Sequence, residues 1–178
     1  MTSRGLMRSS VVLGFVAIAC GGSTAAPAQS AAASGGDAGG TKDVFASGPA
    51  YVAAPVTTTA AASHTAKKIA APTKDTACLS CHKTGGTAPS FVLGGTVFTA
   101  DNGKTPLAGA EIRFVDAKGT LSRAHSDADG NFWLAGPSVT TETGKAAART
   151  ATLSKVMDVP ASGNCNECHA SNMPLYVK

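Results

Sequence analysis

Two five-residue stretches hold most of the chemistry in this sequence: Cys78-Leu79-Ser80-Cys81-His82 and Cys165-Asn166-Glu167-Cys168-His169. In each, two thiols separated by two residues are followed at once by an imidazole. On a tight turn, thiols so placed can form thioethers with two vinyl groups on neighbouring pyrroles. The next residue is then carried beneath the iron as its proximal ligand. Cys-x-x-Cys-His is accordingly the attachment signature of c-type haem. A dithiol that only exchanges disulfides needs no histidine at that place. With 5 Cys and 4 His in 178 residues, chance gives roughly 0.003 such patterns per chain, so two are not accidental. The expectation is two haem c groups, bound covalently through Cys78, Cys81, Cys165 and Cys168 and ligated by His82 and His169.

Each iron then has a sixth position to fill. His64 and His125 remain, one for each haem, which makes bis-histidine ligation arithmetically available; Met157 and Met173 are the thioether candidates. His125 falls in a strand where Ala124 and Ser126 point inward, which turns Arg123 and His125 outward. His64 stands 14 residues before Cys78 at the end of a flexible stretch and could reach either iron. Met173 follows His169 too closely to fold back over the opposite haem face. Nine residues after His169 are too few for the distal half of a self-contained mono-haem helical cytochrome. The paired motifs resemble instead the multihaem c-type cytochromes, which implies that haems supply much of the local core and that the protein transfers electrons.

The start of the chain has its own pattern. Arg4 and Arg8 precede the nine-residue apolar run 11–19, too short to span a bilayer but suited to a secretory signal. The run ends in Ala19-Cys20-Gly21, which resembles a bacterial lipoprotein signal. Ala17 stands where such signals more often have Leu. The resemblance implies a signal over 1–19, cleavage before Cys20 and lipid on its sulfur. The odd cysteine is thereby accounted for, since four serve the haems. Export to a periplasm-facing, outer-membrane or cell-surface position follows as the expectation, with Gly21 favouring the outer membrane. Residues 20–63 are nearly all Ala, Gly, Ser, Thr and Pro and read as a flexible tether, with Phe45, Val52 and Val56 as isolated apolar points.

Charged residues make up 15% and aromatics 5% of the chain, which leaves material for one small core. The formal charge of +4 falls once Arg4 and Arg8 are removed with the signal. No basic run exceeds Lys67-Lys68, so a nucleic-acid partner is not expected.

Between the motifs, runs of strand character alternate with turns. Gly95-Thr96-Val97-Phe98-Thr99 precedes Asp101-Asn102-Gly103-Lys104. Ala110 to Val115 places Ile112 and Phe114 on one face and Glu111 and Arg113 on the other. Asp116-Ala117-Lys118-Gly119 and Asp127-Ala128-Asp129-Gly130 then bracket Leu121 to Ser126. Phe132 and Leu134 face inward, which turns Trp133 outward, and a last extended run covers Ala148 to Val159. Spacing of this kind predicts a mainly β fold, a small antiparallel β-sandwich over 91–160, flanked by haem-binding segments at 64–90 and 161–178. The stretches Gly95-Thr96-Val97-Phe98, Pro106-Leu107-Ala108-Gly109-Ala110-Glu111-Ile112 and Asp127-Ala128-Asp129-Gly130-Asn131-Phe132 resemble the carboxypeptidase regulatory-like domain. That resemblance implies a transthyretin-like sandwich used as a scaffold, with no catalysis of its own. Asp127-x-Asp129-Gly130 lacks the further carboxylates of a calcium loop and reads as a hairpin turn.

The leading expectation is a membrane-tethered dihaem electron carrier, not an enzyme, whose partners are other exported redox proteins met in transient contacts. The alternatives are a surface lipoprotein whose two Cys-x-x-Cys pairs hold one zinc or form disulfides, and an adhesive β module. No acid–base constellation that a haem enzyme would need stands out.

Overall fold

The structure is a computed structural model, and it describes residues 44–45, 50–54, 56, 63–65, 73, 75–139, 143–157, 159–170 and 172–178. The expected signal at 1–19, Cys20 and most of the tether lie outside them. Seven strands follow in chain order: β1 (Phe91–Phe98), β2 (Glu111–Val115), β3 (Leu121–His125), β4 (Asn131–Ala135), β5 (Lys145–Arg149), β6 (Ser154–Val156) and β7 (Leu175–Tyr176). Two four-residue helical turns, α1 (Cys78–Cys81) and α2 (Cys165–Cys168), carry the cysteine motifs. No helix among the described residues is long and apolar enough to cross a membrane.

The strands form a three-stranded sheet in the order β4-β1-β7 and a four-stranded sheet in the order β3-β2-β5-β6. Alternation does what the sequence requires of it. Leu93 and Val97 of β1, Ile112 and Phe114 of β2, and Phe132 and Leu134 of β4 are buried with Ala124, Ala146 and Ala148 in one cluster. Each large side chain so buried contributes on the order of 1.5–3 kcal/mol. Both expected turns close through the same device. Asp116 Oδ1 accepts from the backbone N–H of Lys118 and Thr120, and Asp127 Oδ1 from Asp129 and Asn131. Gly119 and Gly130 supply the positive φ that ends each turn. The Asp127 carboxylate is thus spent on its own turn.

Three expectations change. The run from Ala148 to Val159 is two strands, because the chain reverses at Thr150–Leu153, where the Thr150 N–H donates to Leu153. Lys-Ala-Ala-Ala-Arg has weak strand propensity, but β5 pairs along β2 and its small side chains fit beneath Phe114. The strands are not all antiparallel, since β7 pairs parallel with the end of β1. That strand comes from the segment expected to lie beyond the sheet, and Ala161 and Val177 from the same segment join the core. The third change concerns the outer face of the second sheet. Glu111 and Arg113, which alternation puts on the face opposite Ile112 and Phe114, are fully buried as well.

Their cover comes from the stretch read from composition as a tether. Phe45 lies with the guanidinium of Arg149 4.5 Å and that of Arg113 5.0 Å from its ring centre. The Tyr51 hydroxyl donates to the Gly109 carbonyl at 2.9 Å. Glu111 accepts from Arg113 Nε at 2.7 Å and from Arg149 Nη2 at 2.8 Å. At Phe45, Tyr51 and Val52, then, the chain packs onto the sheet. Composition concealed this because three anchoring residues barely alter the average of a forty-residue stretch.

Candidate functional site

Near-identical local geometry builds both motifs. In α1 the His82 N–H bonds to the Cys78 carbonyl at 3.0 Å, and in α2 the His169 N–H bonds to that of Cys165 at 2.9 Å. His82 leaves its turn at φ −89°, ψ 51°, and His169 at φ −90°, ψ 53°. One turn of helix places both thiols and the imidazole on one short arc.

Each imidazole is held the same way. His82 Nδ1 lies 2.8 Å from the Pro89 carbonyl and His169 Nδ1 3.0 Å from the Met173 carbonyl. A carbonyl can only accept, so Nδ1 bears the proton in both rings and Nε2 keeps the lone pair needed to ligate a metal. His169 Nε2 is buried with no hydrogen-bond partner. An orphaned basic nitrogen in an apolar setting is costly unless something binds it. The residue also lines a cavity of about 280 Å³, together with Cys165, Ile112, Ala146, Met157 and Tyr176.

The first motif lies in a row of rings. Phe91 stacks on His82 at 3.9 Å between centres with 7° between planes, and Trp133 stands 6.3 Å beyond Phe91. Trp133 is half-exposed, turned outward between buried Phe132 and Leu134 as alternation predicts. His64 meets His82 edge-on at 5.9 Å between ring centres. Two imidazoles on opposite sides of one metal, each with a metal–nitrogen bond of about 2 Å, place their ring centres about 6 Å apart.

His125 is elsewhere. Its strand neighbours Ala124 and Ser126 point inward as expected, but its own face is roofed rather than open, and its Nε2 donates to the Val52 carbonyl at 3.1 Å. Burial draws its pKa below the ordinary imidazole range and outweighs the opposing pull of Glu111. The structure therefore brings His64 to His82, and gives His125 a backbone partner on the covered face of the second sheet.

Sequence reasoning passed over how the motifs meet. A Cβ added to Gly94 would stand 3.0 Å from Cys78 Cβ, and one added to Gly95 would stand 2.8 Å from Cys165 Cβ. Successive residues of a strand face opposite sides, so the two turns straddle β1. Gly94 pairs with outward Trp133 and Gly95 with inward Phe132, which sets the sides. A glycine pair inside a strand was the available signal, because it marks close approach by another part of the chain.

Asparagines complete the junction. β7 pairs only with Val97 and Phe98 of β1. At the edge before them, the Gly94 N–H bonds to the Gly163 carbonyl and the Thr96 N–H bonds to Asn166 Oδ1 at 2.8 Å. The Asn166 amide thus serves β1 as a neighbouring strand would. Its Nδ2, with two hydrogens to share, faces three acceptors at 3.1 Å: the carbonyls of Thr73 and Thr76, which lead into the first motif, and Thr96 Oγ1. Asn164 Oδ1 accepts from the Leu79 N–H. Leu79 and Asn166 occupy the same place in their motifs, and both are buried.

No family model, curated protein or solved structure matches this chain. The site must be read from its own chemistry.

Burial pushes the Cys78 thiol up to about 11 and the Cys165 thiol up to about 12, with Cys78 itself adding to the rise at Cys165. Cys81 and Cys168 are exposed, and the four thiols form no disulfide. Because the thiolate is the reactive form, alkylation of the unmodified protein at neutral pH is expected to label Cys81 and Cys168 first. Cys78 and Cys165 should follow only on unfolding. Peptide mass mapping showing four equal rates would contradict this geometry.

Proposed function

We propose that the protein is an exported, membrane-tethered dihaem c-type electron carrier, with the β module as its scaffold. The observation that carries the reading is the buried, unpartnered Nε2 of His169, a residue that lines an apolar cavity together with Cys165. A proximal imidazole waiting for iron beside an attachment thiol has this character. Cys78, Cys81 and His82 would hold the first haem, and Cys165, Cys168 and His169 the second. His64 is the partner for His82 that the 5.9 Å ring separation favours.

A bound haem would supply one-electron chemistry between Fe(III) and Fe(II). The chain's own contribution is to fix both imidazoles in the ligating tautomer through Pro89 and Met173, and to exclude water from the second site with Ile112, Ala146 and Met157. The scaffold reading rests on the residues that resemble the carboxypeptidase regulatory-like domain. Export and lipidation rest on the Arg4-to-Cys20 pattern, and transient redox partners on the absence of any substrate constellation in the sequence. The zinc alternative needs four sulfurs to converge, and no group of three His, Cys, Asp or Glu side chains among the described residues could hold a metal ion.

Expression of the full chain with c-type maturation machinery tests the reading. The expected product is red, gains the mass of two haems that survive denaturation, and shows sharp α and β bands on reduction. Cys168→Ala should retain one haem tightly and lose a thioether at the other. A colourless protein, or one containing a single zinc, would end the proposal.

A further inference from the structure

The two sites have unlike walls. His64 stands by His82, and the Nε2 of His125 is held by Val52, so neither places an imidazole at the second cavity. Besides His169 and the attachment thiol Cys165, the groups on its walls that can ligate iron are Met157, Met173, Lys155 and Tyr176. Lys155 Nζ sits 3.8 Å from the centre of the Tyr176 ring, a cation–π contact that occupies both. The backbone carbonyl of Met173 holds His169 Nδ1, the nitrogen opposite the ligating one, which puts Met173 behind the imidazole; its side chain is 57% exposed. Met157 follows β6 on the four-stranded sheet, with its N–H bonded to Ala146, and is partly buried against the core. It thus enters the cavity from the sheet wall, whereas His169 enters from α2.

On the dihaem reading above, we propose that the second site takes its sixth ligand from the Met157 thioether, while the first is completed by His64. The chain would then hold one bis-histidine and one histidine–methionine haem. Thioether ligation raises the reduction potential relative to bis-histidine, and the apolar walls around the second site act in the same direction by disfavouring the more charged oxidised iron. At equilibrium a single electron on the pair therefore resides at the second site.

The test uses the full-length protein carrying both haems. Its oxidised near-infrared spectrum is expected to contain the sulfur-to-iron charge-transfer band of methionine ligation, at the strength of one iron per chain. Met157→Leu, nearly equal in volume, should abolish that band and lower the higher of two midpoint potentials without moving the other. Met173→Leu should leave both unchanged, and His64→Leu should alter only the lower potential. A protein with two covalent haems and no thioether band overturns this inference and leaves the dihaem reading standing. Persistence of the band in Met157→Leu, or its loss in Met173→Leu, does the same. A chain that takes up no haem overturns both. The wild-type spectrum decides the matter of methionine ligation even where Met157→Leu fails to fold.

Discussion

Asn166→Leu is expected to cost about 3 kcal/mol of stability, since it strands the buried Thr96 N–H and removes the two-hydrogen amide group that faces Thr73, Thr76 and Thr96 Oγ1. The buried N–H alone accounts for about 1–3 kcal/mol of that. The rest comes from the two amide hydrogens shared among Thr73, Thr76 and Thr96 Oγ1, contacts that are longer and, at the two carbonyls, only part-buried. For a folded unit of this size the melting temperature should fall by roughly 12–24 °C. Asn164→Ala, which gives up the weaker 3.4 Å bond to Leu79, should cost only about 1 kcal/mol. Urea unfolding of both variants makes the comparison. Amide exchange adds a local readout, because protection at Gly94 and Thr96 should collapse in Asn166→Leu while that of β2 and β5 persists. A loss within 0.5 kcal/mol of zero would mean that β1 does not depend on this amide for its edge, and that the motifs are not joined through it.

Glu111→Gln should be costlier still, at about 3–5 kcal/mol, because it leaves two guanidinium groups facing one another without a counter-charge. Arg113 is fully buried and Arg149 nearly so, both reaching Glu111 from neighbouring positions on β2 and β5. Burial alone would push the Glu111 carboxyl up, but hydrogen bonds and charge from Arg149 and Arg113 prevail and hold it below the ordinary carboxylate range. The sign of the pH dependence follows. A carboxyl whose folded pKa lies below its unfolded value of about 4.3 stabilises the fold above that value, and loses the contribution as pH falls through the folded pKa. The gap between wild type and Glu111→Gln should be wide at neutral pH and narrow below about pH 4. A gap independent of pH would show that packing, not charge, explains the loss. Phe45→Ala should reproduce part of the effect by removing the ring over both guanidiniums, at about 1–3 kcal/mol.

Much of the strand pattern was legible in the residues. The Ile112/Phe114 and Phe132/Leu134 alternations and the two Asp-x-x-Gly turns rest on period and turn chemistry, which are local properties. The fate of the polar face was not legible. Glu111, Arg113 and His125 alternate as solvent-facing residues do, yet Phe45, Tyr51 and Val52 return from a distance of about seventy residues to cover them. Period can assign a residue to a face, but it carries no information on what else in the chain covers that face. The split of the last run into β5 and β6, and the pairing of β7 with β1, escaped for a related reason: KAAAR has little strand character of its own, and Leu175–Tyr176 is too short to show any.

By itself, then, the sequence determined the chemistry of this protein: which thiols and imidazoles stand together, because a single helical turn sets their spacing without help from the rest of the chain. The tertiary structure alone decided their surroundings. It set the two motifs against neighbouring glycines on opposite faces of β1, brought His64 to His82, left His169 Nε2 buried without a partner, and put His169 and Met157 on the walls of one cavity. Contacts between residues about twelve to seventy positions apart depend on how strands pair and faces close. Those are decided by the summed burial of the whole core and by the need to satisfy each buried N–H, such as that of Thr96, with whatever acceptor the fold can bring to it.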